Sequence, residues 1–312
     1  MTIGSLTANH PLDPLVRIRT EVGILARQSN PGRASWRPLK EAILKGAGEL
    51  RRLSGQDVPP VDLCDIASSR RILRTTYSRA RLTPEAVLVP IGEGFVVRLA
   101  GGQPRVRNRT SLAHEIGHTF FFDLEKNPPT RLLVDAGGLA SHKEEDICKA
   151  FARELLLPTE LVRGFLKLQH NTPLDLLSSL AARFAVSIEL VAVRLLWDLH
   201  ELKNTIAVFA EMGESPESRS GAAIRKYLGE NVKQPRKVEQ ELLGLITEVL
   251  VSGPPFDRLL DIELNCSDFA QVEWKLEKGN QPRRALAVLS FKRGDTWPKN
   301  PYLGSQSTLR LI

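Results

Sequence analysis

An α+β fold is the class this sequence predicts, on three observations. Apolar residues recur at helical spacing near the start of the chain and again from Glu144 onward. Between those stretches the pattern turns to strict alternation, with Val87, Val89 and Ile91, then Gly92-Glu93-Gly94, then Phe95, Val97 and Leu99, which reads as a β-hairpin. Beyond His200 the texture is mixed, with short apolar runs suited to strands and one further helical run.

Taken in order, residues 14–28 and 37–53 read as helices, and Gly55 with Pro59-Pro60 closes an N-terminal helical region over 1–60. Residues 72–77 read as a strand ahead of the hairpin, which Gly101-Gly102 and Pro104 end. A helix is then expected from a cap at Asn108 or Thr110 to about Asp123, seated by an apolar stripe of Leu112, Ile116 and Phe120. A polar loop follows, and residues 144–157 read as a helix that Pro158 stops. Thr172-Pro173 opens a helical pair over 173–197, with a tight corner at Ala185-Val186-Ser187. Residues 61–200 are thus expected to form one domain. In 201–312 the runs 205–210, 256–264, 269–276 and 285–291 suit strands and 238–251 a helix, a smaller α+β region to which no chemistry attaches.

The totals narrow the classes. A chain of 312 residues, 42% hydrophobic and 25% charged, has the mixture of a globular protein able to bury a core. No run of eighteen apolar residues suits a membrane span, and Asp13, Arg17, Arg19, Glu21 and Arg27 leave no room for a signal-peptide core. Cys64, Cys148 and Cys266 are too few and too scattered for a disulfide framework, so a reducing cytoplasm is expected, with Cys148 a buried core thiol. The formal charge of +7 permits attraction to nucleic acid without demanding it. In the helical pair, Arg183 and Arg194 stand against Asp175, Glu189 and Asp198, too little basic character for a recognition helix. Packing against the neighbouring helices is expected there, and no direct nucleic-acid contact.

The chemistry is concentrated in His114-Glu115-Ile116-Gly117-His118. Residues four apart on a helix share a face about 6 Å apart, so both imidazoles can reach one ion, and zinc favours nitrogen ligands. Glu115 lies one residue round the helix, where its carboxylate reaches a water on the ion rather than the ion itself. Such a carboxylate takes the water's proton and hands it to a leaving amine. Gly117, costly inside a helix, makes sense where something approaches the backbone closely. A catalytic zinc site expects a third protein ligand, and Asp123, Asp135, His142, Glu144, Glu145 and Asp146 are the candidates. Helical phase favours Glu144, at the centre of the stripe Ile147, Cys148, Phe151 and Leu155, with Glu145 at its margin; periodicity leaves the two open.

The blocks Arg109-Thr-Ser-Leu-Ala-His-Glu-Ile-Gly-His118 and Phe151-Ala-Arg-Glu-Leu-Leu-Leu-Pro158, about thirty residues apart, resemble the ImmA/IrrE family of zinc metallopeptidases. Residues 180–196 fit the helical pair that follows in that family, and the likeness covers roughly 60–200. It implies a zincin-like core, a small sheet with the His-Glu-x-x-His helix. It also implies one zinc ion held by His114, His118 and Glu145, Glu115 as the catalytic glutamate, and a helix-turn-helix transcriptional repressor as the protein cut. Cys148-Lys149 departs from the Ala-Asn the family often shows there, which touches packing but removes no ligand.

The expected function is therefore a zinc-dependent endopeptidase acting on a repressor and so on gene expression. The alternative is a zinc-binding regulatory protein that works by partner binding without proteolysis, against which the intact Glu115 argues. The strand over 95–99 is expected to offer an edge to a substrate backbone, unless Arg98 and nearby loops shield it. Arg105, Arg107 and Arg109 suit either an oxyanion or an acidic partner, or simple exposure.

Overall fold

The computed structural model describes residues 36–78, 85–132, 141–167, 172–202, 205–212, 222–228, 259–264, 268–276 and 284–291. The helices expected over 14–28 and 238–251 lie outside them, as does Cys266. The fold is α+β, with seven α-helices and small sheets among the described residues. The chain divides into two compact units, one from the described residues up to Val162 with Arg183–Ser187, the other from Arg163–Ala182 and the residues from Ile188 onward.

In the first unit, helix α1 (Arg37–Leu53) buries Leu39, Ala42, Ile43, Gly46, Ala47 and Leu50, a 3.6-residue stripe that it turns against a later helix. Arg51 and Arg52 occupy its last turn, where the helix dipole favours cations, and Gly55 at φ +64° turns the chain away. Helix α2 (Leu63–Ser69) starts because the Asp62 side chain accepts from the Cys64 N–H at 2.8 Å. Strands β1 (Ile72–Ser78), β2 (Ala86–Ile91) and β3 (Gly94–Ala100) make a three-stranded sheet in the order β1-β3-β2.

The hairpin of β2 and β3 turns at Gly92, φ +51°. Gly94 must lack a side chain: a Cβ there would stand 2.1 Å from the Arg71 carbonyl oxygen. The expected edge at 95–99 requires correction. β1 pairs in parallel with β3 on the side away from β2, so β3 is the central strand, and Phe95, Val96, Val97 and Leu99 are buried in it. The edges are β1 and β2, and β2 carries Pro90, a residue that cannot donate to a further strand and is tolerated at an edge for that reason.

Helix α3 (Arg105–His118) begins earlier than expected. The Pro104 carbonyl accepts from the Arg107 and Asn108 N–H groups, so neither Asn108 nor Thr110 is the cap, and the Thr110 hydroxyl donates back to the Val106 carbonyl at 3.1 Å. The helix also ends earlier, in a 3-10 turn over Thr119–Phe121, followed by the two-residue strands β4 (Phe122–Asp123) and β5 (Thr130–Arg131). Its buried stripe is Ala113, Ile116 and Gly117, continued by Phe120; Leu112 is only half-buried.

Helix α4 (Ser141–Leu156) packs along α3, burying Ile147, Cys148, Phe151, Ala152 and Leu155. Burying a side chain such as Phe151 or Leu155 stabilises by about 1.5–3 kcal/mol. Gly117 is the point of closest approach: a Cβ there would lie 3.0 Å from the Phe151 ring and 3.4 Å from the Cys148 backbone. What approaches the backbone at Gly117 is therefore the neighbouring helix.

Helix α5 (Thr159–Leu166) follows, then α6 (Pro173–Phe184) and α7 (Ile188–Val193), the last running into a π-turn over Arg194–Asp198. The corner between α6 and α7 falls at 185–187, with Ala185 at φ +52°. Arg194, one of the two basic residues weighed in the helical pair, is 4% exposed and pairs with Asp198 at 3.2 Å. In the second unit, strands β6 (Thr205–Met212), β7 (Ala222–Leu228), β8 (Leu259–Leu264), β9 (Asp268–Leu276) and β10 (Arg284–Phe291) form an antiparallel sheet ordered β7-β6-β10-β9-β8. The sequence reading did not anticipate β7, because its Arg225-Lys226 step interrupts the apolar alternation. Among the described residues no single helix is long and apolar enough to cross a membrane.

Candidate metal centre

The last turns of α3 place His114 and His118 side by side, with ring centroids 4.7 Å apart and Nε2 atoms 3.1 Å apart. Helix α4, seated in the notch at Gly117, brings its first turns over these rings. Glu145 reaches the imidazole Nε2 atoms, its Oε2 at 3.1 Å from His114 and its Oε1 at 3.3 Å from His118. Glu144, one residue earlier, goes to the opposite side of the ring, where its Oε1 accepts from His118 Nδ1 at 2.7 Å. The two glutamates that periodicity left open thus have different partners. A carboxylate only accepts, so Nδ1 of His118 carries a proton in this contact, and in the neutral ring Nε2 presents the lone pair.

Of the other candidates for a third ligand, two are described and sit apart from the rings. Asp123 accepts from the Glu125 N–H at 3.0 Å and so holds the turn after β4. Asp146 is exposed. Asp135 and the His142 side chain lie outside what the structure describes. Arg131 of β5 was not anticipated from the sequence: its guanidinium donates to Glu144 Oε1 and lies 5.3 Å from the Phe122 ring. No local pattern marks it, since it becomes relevant only when β4 and β5 pair.

The donor set suits a metal ion. Two bonds of about 2.0–2.1 Å at a tetrahedral angle put their donor atoms roughly 3.3 Å apart. The separations here are 3.1 Å between the two Nε2 atoms and 3.1 and 3.3 Å from them to the Glu145 oxygens. The Glu115 carboxylate also lies within 4.8 Å of the imidazole donors. The closer contacts to both Nε2 atoms come from Glu145, whose side chain is 43% exposed and so faces the open side of the site.

Electrostatics separate these groups further. Burial pushes the Glu115 carboxyl up to about 7, with Glu145 adding to the rise, while His118 and a hydrogen bond from the Leu88 backbone oppose it. Burial and the neighbouring His118 hold His114 down to about 4, against the pull of Glu145. Burial works against a charged His118 as well, but its hydrogen bond to Glu144 and the three surrounding carboxylates outweigh that and raise it. Cys148, fully buried beneath the site, is held well above its ordinary value by burial and the same carboxylates, a core thiol and not a nucleophile.

The three arginines at the start of α3 are engaged differently from one another. Arg105 is exposed, Arg107 lies 3.5 Å from Glu85, and Arg109 donates to the carbonyls of Val61 at 2.9 Å and Ala185 at 3.2 Å. Two of them therefore brace the fold.

Residues 76–196 match the family model of the IrrE N-terminal-like domain, Peptidase_M78. No curated protein matches the chain. Among solved structures, a Mycobacterium tuberculosis transcriptional regulator aligns at 14% identity with a TM-score of 0.47, over 89% of this chain and 81% of that one. Residues 76–196 are thus similar to the IrrE N-terminal-like domain of the ImmA/IrrE peptidases and share its zincin-like core.

Proposed function

We propose that this chain is a zinc-dependent endopeptidase that hydrolyses a peptide bond in a specific cytoplasmic protein, a helix-turn-helix transcriptional repressor, and thereby regulates gene expression. The observation that carries this reading is the convergence of His114, His118 and Glu145 beside a buried Glu115 whose carboxyl is raised to about 7. In this reading those three side chains hold one zinc ion. Bound zinc supplies Lewis-acid polarisation of the scissile carbonyl and acidifies the attacking water.

The chain's own part in the reaction is proton transfer and orientation. Glu115 takes the proton of the water and returns it to the leaving amine, and a carboxyl that titrates near neutrality can do both. The hydrogen bond with the Leu88 backbone steadies that carboxylate. Strand β2, the edge that carries Leu88, is where an extended substrate segment adds as a further strand, its main chain hydrogen-bonded alongside the site. The repressor as substrate follows from the family resemblance.

Co-expression with a helix-turn-helix protein encoded beside this chain tests the reading. Wild type is expected to yield a cleavage fragment and Glu115→Gln none, with zinc retained in both. Stoichiometric zinc with the same biological output from Glu115→Gln would instead establish a regulatory protein that binds without cutting.

A further inference from the structure

We propose that Glu144 and Arg131 are a positioning pair that holds His118 in its metal-binding tautomer and thereby sets the affinity of the site. This rests on the metal-site reading above and extends it to residues outside the ligand set.

The His118 ring is engaged at both ends. Its Nε2 faces His114 and Glu145, and its Nδ1 donates to Glu144 Oε1 at 2.7 Å. Because the carboxylate has no hydrogen to give, this bond places a proton on Nδ1, and the neutral ring then keeps its lone pair on Nε2 for a cation. Glu144 is the more sheltered of the two glutamates, its side chain 10% exposed against 43% for Glu145. Besides the His118 ring it has a second partner, the Arg131 guanidinium, which donates to the same oxygen.

Arg131 is itself anchored. It sits opposite Phe122 in the β4–β5 pair, which the Leu132 N–H extends by donating to the Phe121 carbonyl at 2.9 Å. Phe122 meets Phe95 of the central strand edge to face at 5.1 Å. A line of contacts therefore runs from the sheet core through Phe122 and Arg131 to Glu144 and the ring. Carboxylate partners of ligating histidines typically contribute a factor of about 10–100 in metal affinity.

The test measures zinc affinity by chelator competition in the full chain, together with the nitrogen-15 signals of the His118 ring and thermal unfolding of the metal-free protein. Glu144→Gln is expected to weaken zinc binding about 10–100-fold and to mix the His118 tautomers. Arg131→Leu, at a half-exposed position, is expected to weaken it less, Arg131→Lys to recover part of the loss, and the double variant to be no worse than Glu144→Gln alone. Unchanged affinity in Glu144→Gln, or additive losses in the double variant, overturns the pair. Losses that track metal-free melting with the tautomer unmoved also overturn it, since a merely structural role predicts that. A wild-type chain that binds no zinc instead overturns the metal-site reading beneath it.

Discussion

The two halves of helix α3 treat charge in opposite ways. Its N-terminal half carries Arg105, Arg107 and Arg109 with no acidic residue in the first turn, although the dipole there disfavours cations. That cost is met by partners outside the helix, Glu85 for Arg107 and two backbone carbonyls for Arg109. The C-terminal half carries His114, Glu115 and His118, buried or nearly so, with burial lowering His114 and raising Glu115 while Glu144 and the neighbouring carboxylates raise His118 against burial. Charges that are fully answered hold a fold together; charges left poised within a sheltered cluster are what chemistry needs.

The largest expected effect falls on the second half. Glu115→Gln should lower the rate of substrate cleavage by about 10²–10⁴-fold while leaving zinc stoichiometry intact, as fragment kinetics and metal analysis would show. Loss of zinc together with loss of cleavage would mean that Glu115 is a ligand, and the division of roles along the helix would fail.

Zinc removal comes next. At a thousand-fold excess over its dissociation constant, zinc should stabilise the chain by about 4 kcal/mol. The difference between zinc-loaded and chelator-treated melting should widen as pH rises. Glu115 is raised from 4.5 to about 7 in the metal-free fold, so its contribution is lost as pH climbs from about 4.5 to 7, and that of His118, raised above 6.5, is lost from there upward. His114, lowered to about 4, has already given its full contribution above 6.5. Ligand deprotonation meanwhile favours zinc over the same range. A gap that narrows from about pH 6.5 to 8 would contradict the assignment.

Arg109→Leu probes the first half. It strands the carbonyls of Val61 and Ala185 and should cost about 1–3 kcal/mol in chemical unfolding with zinc affinity unchanged. A loss of zinc affinity instead would join the two halves functionally. The smallest effect is expected of Gly117→Ala. A helix gains up to about 1 kcal/mol from the exchange, but the methyl presses on Phe151 at 3.0 Å, and overpacking of about 1–3 kcal/mol should leave a net loss near 1 kcal/mol in melting experiments.

Legibility in the sequence followed the range of the interactions. The hairpin, the stop at Pro158 and the corner at 185–187 rest on turn and breaker residues acting within a few positions, and all are found. The start of α3 was misread because Asn108 and Thr110 are good caps in isolation, while the chain uses the Pro104 carbonyl four residues before Asn108. The edge strand was misread for a longer-range reason. Alternation shows that residues 95–99 form a strand, but that β1 returns in parallel on its far side is a property of the sheet.

His114, Glu115 and His118 were legible together because one helix turn sets their geometry, and 3.6 residues per turn is a property of the backbone. The separate fates of Glu144 and Glu145, and the arrival of Arg131, depend on how a second helix and a short strand pair settle against the first. That docking is decided at Gly117, Cys148 and Phe151 by contacts at van der Waals range, which no periodicity along the chain encodes.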